Sequence, residues 1–444
     1  MLLAKSHFFS PSRTILFSMI FAILAGTALL TLPGMTTQKV PLIDVFFTST
    51  SAICVTGFQT VPLSNFTQWG HLVIMILIQI GGLGLITLTL FIVSLFTNLG
   101  LATQVMAGEM LHLETWSGAR RILVFIISLT LICELAGALL LFQSFKHHYS
   151  FTDACFHAMF HSVSAFCNSG FTILDQGMHT YSSDYLLLST TSGLIILGSI
   201  GFITLKELFL RIAPWTEKIR KVYSLQTRII VHYMVIFTIG STLLFWLLER
   251  HNTFAAMPLA EQIMNAFFTA VSSRGAGFLT VYAREMQYAS LLILMINSFI
   301  GAAPGSTGSG IKITTMALFI ATINAAIQGK HAVEIKGRRV MKDQIYKALA
   351  IVSLSALWII LVTFCLLITE RSWQFLDILL ETVNAFNTLG VSIGITPYLS
   401  VLGKLLIILT MFIGRIGSLT LMIALRKKND RAEFSYPEER VMLS

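Results

Sequence analysis

The sequence predicts an all-α membrane protein in which one helix–loop–helix unit is used four times. Three observations carry that expectation. Of 444 residues, 55% are hydrophobic and only 11% are charged, against roughly 25% charged in soluble domains. Eight apolar stretches stand along the chain, most with the ~20 residues that a bilayer crossing needs. Four glycine-centred segments recur between them: Val55-Thr56-Gly57-Phe58, Asn168-Ser169-Gly170-Phe171, Gly275-Ala276-Gly277-Phe278 and Thr388-Leu389-Gly390-Val391. Their glycines lie 113, 107 and 113 residues apart, a period that reads as internal repetition.

After a basic segment at 1–13, the first apolar stretch, 14–32, is too long for a signal peptide and lacks a small-x-small cleavage site. The stretches pair as 14–32 with 69–97, 119–143 with 185–210, 227–249 with 288–328, and 345–369 with 401–425. These pairs define units at 14–97, 119–211, 225–328 and 345–426, followed by a tail at 427–444. Between the members of each pair lie 41–55, 151–167, 259–273 and 374–387, too short and too polar to span. They read as re-entrant half-helices whose non-helical continuation is shielded by other helices. Each begins near an acid (Asp44, Asp153, Glu261, Asp377), which the helix dipole favours at an N-terminus. Ser51, Ser164, Ser272 and Asn384 precede the glycines by five or six positions, within reach of neighbouring backbone. Four carbonyl-rich loops held this way suggest a ring of backbone oxygens around one central pore.

The net charge of +9 is distributed as in a membrane protein, which argues against a nucleic-acid partner. Twenty-one of 30 Lys and Arg fall in 1–13, 98–121, 206–228, 330–347 and 426–440. The positive-inside rule then places both termini and the three basic loops in the cytoplasm. Five cysteines, Cys54, Cys133, Cys155, Cys167 and Cys365, show no CxxC spacing and read as small buried apolar residues. His157 and His161 are four apart on a half-helix, but no Glu lies between them and no third ligand is near. Packing is the better reading. No span holds a nucleophile or metal cluster, so the chain does not read as an enzyme.

The second stretches also repeat, with Gly81-Gly82-Leu83-Gly84, Gly198-Ser199-Ile200-Gly201, Gly301 to Gly305, and Gly414-Arg415-Ile416-Gly417. The first glycine lies 24 residues after the loop glycine in units one, three and four, and 28 after it in unit two. Such glycines serve close helix packing or face the pore; the matched offsets favour the pore. The third unit's stretch has 41 residues, about 60 Å as one helix. Its centre, Gly301-Ala302-Ala303-Pro304-Gly305-Ser306-Thr307-Gly308-Ser309-Gly310, is a poor helix. Non-helical backbone at that depth is expected only where it is buried in protein, as a fixed kink, or where it lines a water-filled cavity. Gly305 to Lys312 imitates a phosphate-binding loop, yet Ile311 interrupts the motif and no strand precedes it. Arg415 stands in an apolar helix, facing the pore or held by carbonyls or by an acid such as Glu134. Lys312 either faces the pore or pairs with an acid beside the break, and Arg274 is placed to brace its loop from behind.

On these motifs, with Phe299-Ile300-Gly301 through Gly310-Ile311-Lys312 and Phe412-Ile413-Gly414-Arg415-Ile416-Gly417, the chain resembles the Trk/Ktr/HKT superfamily of potassium transporters from about residue 14 to 426. Eight spans and a short N-terminus look most like the bacterial Ktr membrane subunit. The resemblance implies eight transmembrane helices plus four re-entrant half-helices around one pore. It implies K⁺ uptake across the bacterial inner membrane, with Gly57, Gly170, Gly277 and Gly390 as filter glycines. The carbonyls of Val55, Thr56, Asn168, Ser169, Gly275, Ala276, Thr388 and Leu389 would face the ion. Residues 301–310 with Lys312 would form the gate, and Arg415 a barrier to leakage. K⁺ is cargo, and the chain itself is expected to hold no cofactor; Na⁺ dependence is open. The family also implies a homodimer in lipid beside a cytosolic ring of nucleotide-binding regulatory subunits, since no nucleotide-binding fold is visible here. Four filter glycines favour K⁺ over the alternative, a sodium-permeable or poorly selective relative. A carrier for organic solutes would share broken helices but not four filter loops.

Overall fold

The computed structural model describes residues 11–84, 116–174, 177–212, 223–330 and 332–417. The chain before residue 11, most of the basic loop 98–121, the far ends of the stretches at 69–97 and 401–425, and the 427–444 tail lie outside them. The described residues form fourteen α-helices. Unit one contains α1 (Pro11–Leu30), α2 (Leu42–Ile53) and α3 (Gln68–Leu83). Unit two contains α4 (Trp116–Phe145), α5 (Phe151–Phe166), α6 (Tyr185–Ser199) and α7 (Phe202–Ile212). Unit three contains α8 (Leu225–Glu249), α9 (Leu259–Ser272), α10 (Tyr288–Phe299) and α11 (Ile313–Ile327). Unit four contains α12 (Lys342–Thr369), α13 (Phe375–Phe386) and α14 (Val401–Ile416).

The long helices carry an apolar stripe that faces outward. On α12, Leu357, Ile360, Leu361, Phe364 and Ile368 are exposed at i, i+3, i+4, i+7 spacing, and α8 repeats the pattern with Val235, Ile236, Ile239 and Leu243. Contiguous stripes of this kind are tolerated against lipid, not water. Leu123–Phe145 of α4, α8 and α12 are each long and apolar enough to cross a membrane, and α6 with α7 qualifies as a bent pair. The described residues do not establish the full count of eight spans: α3 and α14 have 16 residues each within them, the stretches 69–97 and 401–425 continue beyond them, and the third unit's second stretch is divided, as expected, into α10 and α11 of 12 and 15 residues.

The short helices α2, α5, α9 and α13 start where their sequences supply caps. Pro41 and Pro258 precede α2 and α9; Ser150 accepts from the Asp153 amide; Gln374 and Asp377 form a capping box. Asp44, Asp153, Glu261 and Asp377 all lie in first turns. Neighbouring units then interlock cyclically. Helix α3 packs on α5, α6 on α9, α10 on α13, and α14 returns to α2. The fourth unit thus closes on the first.

Two features differ from expectation. The break assigned to unit three alone occurs in unit two as well: α6 ends, the chain turns at Gly201 (φ 90°), and α7 leaves at 104°. Helices α3 and α14 end at the corresponding Gly84 (φ 79°) and Gly417 (φ 89°). A glycine in left-handed φ stops a helix, so these residues act as stops as well as spacers. Unit three differs in having the longer intervening segment, 300–312. Secondly, the basic loop after α11 contains a two-stranded antiparallel hairpin, β1 (Glu334–Ile335) with β2 (Arg338–Arg339). The 28-residue offset in unit two also finds its cause. Helices α3, α10 and α14 begin 11 residues after their loop glycines and α6 begins 15 after, so the connector carries a four-residue insertion.

Candidate functional site

The four glycine loops begin at the C-termini of the short helices, and three of them begin alike. Val55, Asn168 and Thr388, two residues before their glycines, take φ of 57°, 58° and 50°. Their amides bond three residues back, to Ala52, Ala165 and Ala385, at 3.1, 3.1 and 3.2 Å. The next amides reach five back, Thr56 to Ser51, Ser169 to Ser164 and Leu389 to Asn384, at 2.8, 2.8 and 2.9 Å. This is a Schellman closure, made here by residues with side chains. Left-handed φ is unfavourable for β-branched Val55 and Thr388, so the surrounding packing must impose it. Unit three departs. The amides of Gly275, Ala276 and Gly277 all point to the Ser272 carbonyl at 3.0–3.1 Å. A Cβ on Gly275 would come within 2.7 Å of Asn168 Oδ1, so this glycine makes room for that amide.

The loop glycines Gly57, Gly170, Gly277 and Gly390 have φ of 86°, 75°, 75° and 73°. A Cβ on Gly57 would collide with the carbonyl oxygen of Ser169. One on Gly170 would meet that of Ala276, one on Gly277 that of Leu389, and one on Gly390 that of Thr56. Each glycine therefore seats the carbonyl that precedes the next unit's glycine, and the fourth seats the first. The loops form a closed ring whose approach only glycine permits. Phe58, Phe171, Phe278 and Val391, one residue further, are buried anchors. Ser164 Oγ donates to the Phe171 carbonyl at 2.7 Å and Asn384 Nδ2 to that of Val391 at 2.8 Å.

Beneath the ring, residues 300–312 form a strap. Its neck is closed by the Gly301 amide on Ile311 O (3.0 Å) and the Ala302 amide on Ser309 O (3.2 Å). Its tip is tied to the break of unit two: Ala303 N to Ser199 O (3.0 Å), Thr307 N to Gly198 O (3.1 Å) and Phe202 N to Gly305 O (2.8 Å). Thr307 Oγ1 donates to the carbonyl of Phe166, the last residue of α5, at 2.9 Å, and accepts from Asn168 Nδ2 at 2.8 Å. A ring residue is thereby bonded directly to the strap.

The cations of the site are held mainly by backbone carbonyls. Arg415 donates from Nη1 to Thr307 O and Ser309 Oγ, both at 2.7 Å, and from Nη2 to Gly81 O. Of the readings open for Arg415, carbonyl partners apply, not Glu134, which accepts from Gln79 instead. Lys312 donates to Gly308 O at 2.7 Å rather than to an acid. Arg274 reaches back to Met234 O on α8 at 3.4 Å. The second-helix glycines combine close packing with a place on the cavity wall. A Cβ on Gly81, Gly198 or Gly414 would strike the carbonyl of Ile53, Phe166 or Phe386, the last residues of α2, α5 and α13. These positions let the helix ends come that close, while Gly82, Gly84, Gly305, Gly414 and Gly417 of the same motifs line the cavity beneath the ring.

Among the described residues two cavities flank the ring, termed inner on the strap side and outer on the other side. The inner, of 490 Å³, is lined by Gly305, Ser306, Gly308 to Lys312, Arg415 and Gly417. The outer, of 200 Å³, is lined by Gly170, Gly277, Gly390, His179, Tyr282 and Ser392. His157 stacks on Tyr149 at 4.3 Å and His161 packs on Phe278 at 4.8 Å. Sequence reasoning missed the Asn168–Thr307 link and two helix caps. Glu249 accepts from the Gln287 amide (2.9 Å), and Glu370 from the Ser400 amide (3.2 Å). An acid closing each of these first helices was the available signal.

A shell of lipid-facing helices around a four-part ring, with a cavity on each side, defines an integral membrane protein of the ion-transporter class. The chain belongs to the TrkH family of cation transport proteins, whose model matches residues 11–436. It is 36% identical to the Ktr system potassium uptake protein B of Vibrio alginolyticus, over 97% of this chain and 94% of that one. It is 31% identical to the potassium/sodium uptake protein NtpJ of Enterococcus hirae, over 98% and 97%. Among solved structures, the potassium transporter TrkH of Vibrio parahaemolyticus shares the fold. Its TM-score is 0.73 at 20% identity, covering 95% of this chain and 86% of that one.

Proposed function

We propose that this chain is the ion-translocating subunit of a Ktr-type potassium uptake system. The observation that carries the reading is the cyclic seating of each loop glycine on the next unit's carbonyl. In the Schellman closures the amides of Val55, Thr56, Asn168, Ser169, Thr388 and Leu389 are spent on their own helices. Their carbonyls are left to face the axis, joined by those of Gly275 and Ala276. Such a ring replaces the water that K⁺ sheds. The negative ends of four helix dipoles add to the attraction.

The strap is the gate. Gly301, Gly305, Ser306, Thr307, Gly308, Ser309 and Gly310 form it from small residues, tied chiefly through Thr307 and Ser309, while Arg415 and Lys312 hold it by charge-assisted bonds and oppose cations in the inner cavity. The ion moves inward down its electrochemical gradient. The chain works as a homodimer with both termini cytoplasmic. Nucleotide control enters through a separate cytosolic regulatory ring. The test is growth of a potassium-uptake-deficient bacterial host on low K⁺, with K⁺ and Na⁺ flux measured in parallel. Rescue with K⁺ flux well above Na⁺ flux is expected. Equal flux of both ions, or no rescue despite surface expression with the partner subunit, contradicts the assignment.

A further inference from the structure

We propose that the cavity between α8, α11 and the β1–β2 hairpin binds the phosphate headgroup of an anionic membrane lipid. The cavity measures 300 Å³ and is lined by His232, Tyr233, Asn324, Lys330, Glu334 and Lys336, among others. It lies at the end of α8 opposite Glu249 and the outer cavity, on the membrane face that carries the basic segments 206–228 and 330–347. The positive-inside rule assigns that face to the leaflet with the anionic surface.

The hairpin builds the site. Lys336 and Gly337 take φ of 49° and 76°, the left-handed pair of a two-residue hairpin turn. Val333 and Val340 pack on Ala325 beneath it, and the Val340 amide bonds Val333 O at 2.9 Å. So anchored, the turn folds Lys336 back onto α8, where Nζ donates to Arg228 O at 3.2 Å. An ammonium has three donors, so two remain for a ligand. Lys330 adds a second cation and Glu334 is the opposing charge; Arg338 and Arg339 on β2 are exposed. Tyr233, Asn324 and Gln328 supply neutral donors suited to phosphate oxygens.

The walls distinguish a lipid from a soluble anion. Val235 and Ile236 on α8, and Ile323 and Ile327 on α11, are exposed within a turn of the cavity-lining residues. An apolar surface beside a cationic cup suits a molecule with acyl chains below its headgroup. Basic pockets between membrane helices are built for this purpose.

The test uses the full chain, stripped of lipid in detergent and reconstituted in nanodiscs of phosphatidylglycerol or phosphatidylcholine. Lipid retained after re-extraction is measured by native mass spectrometry. Phosphatidylglycerol is expected to be retained over phosphatidylcholine, and Lys330→Gln and Lys336→Gln each to weaken retention about fivefold. Lys336→Arg retains binding, and Lys146→Gln, at the opposite membrane face, leaves it unchanged. Lys330 is exposed and outside the hairpin fold, so its variant reports on charge even if Lys336→Gln misfolds. Equal retention of both lipids, or no effect of Lys330→Gln, overturns the proposal. Stabilisation by millimolar inorganic phosphate alone, matching that of phosphatidylglycerol, would assign the site to a soluble anion instead and also overturn it.

Discussion

Arg415 shows how much one buried charge can organise. Its guanidinium bonds the strap at Thr307 and Ser309 and the first unit at Gly81. A hydrogen bond from a charged group contributes about 1.5–3 kcal/mol. Losing the net value of one such bond shifts a closed-to-open balance roughly tenfold. Arg415→Gln is therefore expected to raise K⁺ leak in vesicles lacking the regulatory subunit by about tenfold; unchanged leak would mean the strap is held elsewhere. His179 acts from the other side. It lines the outer cavity and stacks on Tyr282 at 3.8 Å. Burial pushes its pKa below the ordinary 6.5, opposed by its bond to the Thr280 backbone and by nearby Glu285. A lowered pKa leaves the ring neutral at pH 7 and charged only in acid. Uptake should fall as external pH drops below the usual histidine range, and His179→Gln should flatten that part of the profile. An identical profile in the variant would remove His179 from the outer mouth's electrostatics.

At the scale of elements, helix ends decide the architecture. Glu249, fully buried, gathers Gln287, Ser290, Asn252 and Thr253 and so joins the end of α8 to the start of α10. Glu370 does the same between α12 and α14. Glu249→Gln keeps the shape but loses the charge-assisted character of those bonds, a cost of about 1–3 kcal/mol. Thermal unfolding of the purified protein in detergent should show the loss as a lowered midpoint; an unaltered midpoint would show that this junction carries little stability. Much at this scale was legible in the sequence. The short helices declared themselves by their acids and polar faces. The break in unit two did not, because Gly198-Ser199-Ile200-Gly201 has the spacing of a packing motif and only backbone φ distinguishes a stop from a spacer. The left-handed Val55 and Thr388 were equally hidden, since their side chains argue against that conformation.

For the whole molecule, the repeat is legible because left-handed φ and close carbonyl approach leave glycine as the fitting residue, four times over. The partners of Arg415 and Lys312 were illegible for a matching reason: apart from the Ser309 hydroxyl they are carbonyls, which every residue has. The loops are alike in their glycines and unlike in their supports. Unit two bonds the strap through Asn168, unit three supplies the strap, and unit four clamps it. The central claim is that the four loops form one filter around one path. The most direct measurement is the K⁺-to-Na⁺ flux ratio for Gly57→Ser, Gly170→Ser, Gly277→Ser and Gly390→Ser, each verified at the cell surface. Every variant should lose K⁺ preference, because each glycine seats its neighbour's carbonyl. Any one of them transporting with the unaltered ratio would contradict a single four-part filter.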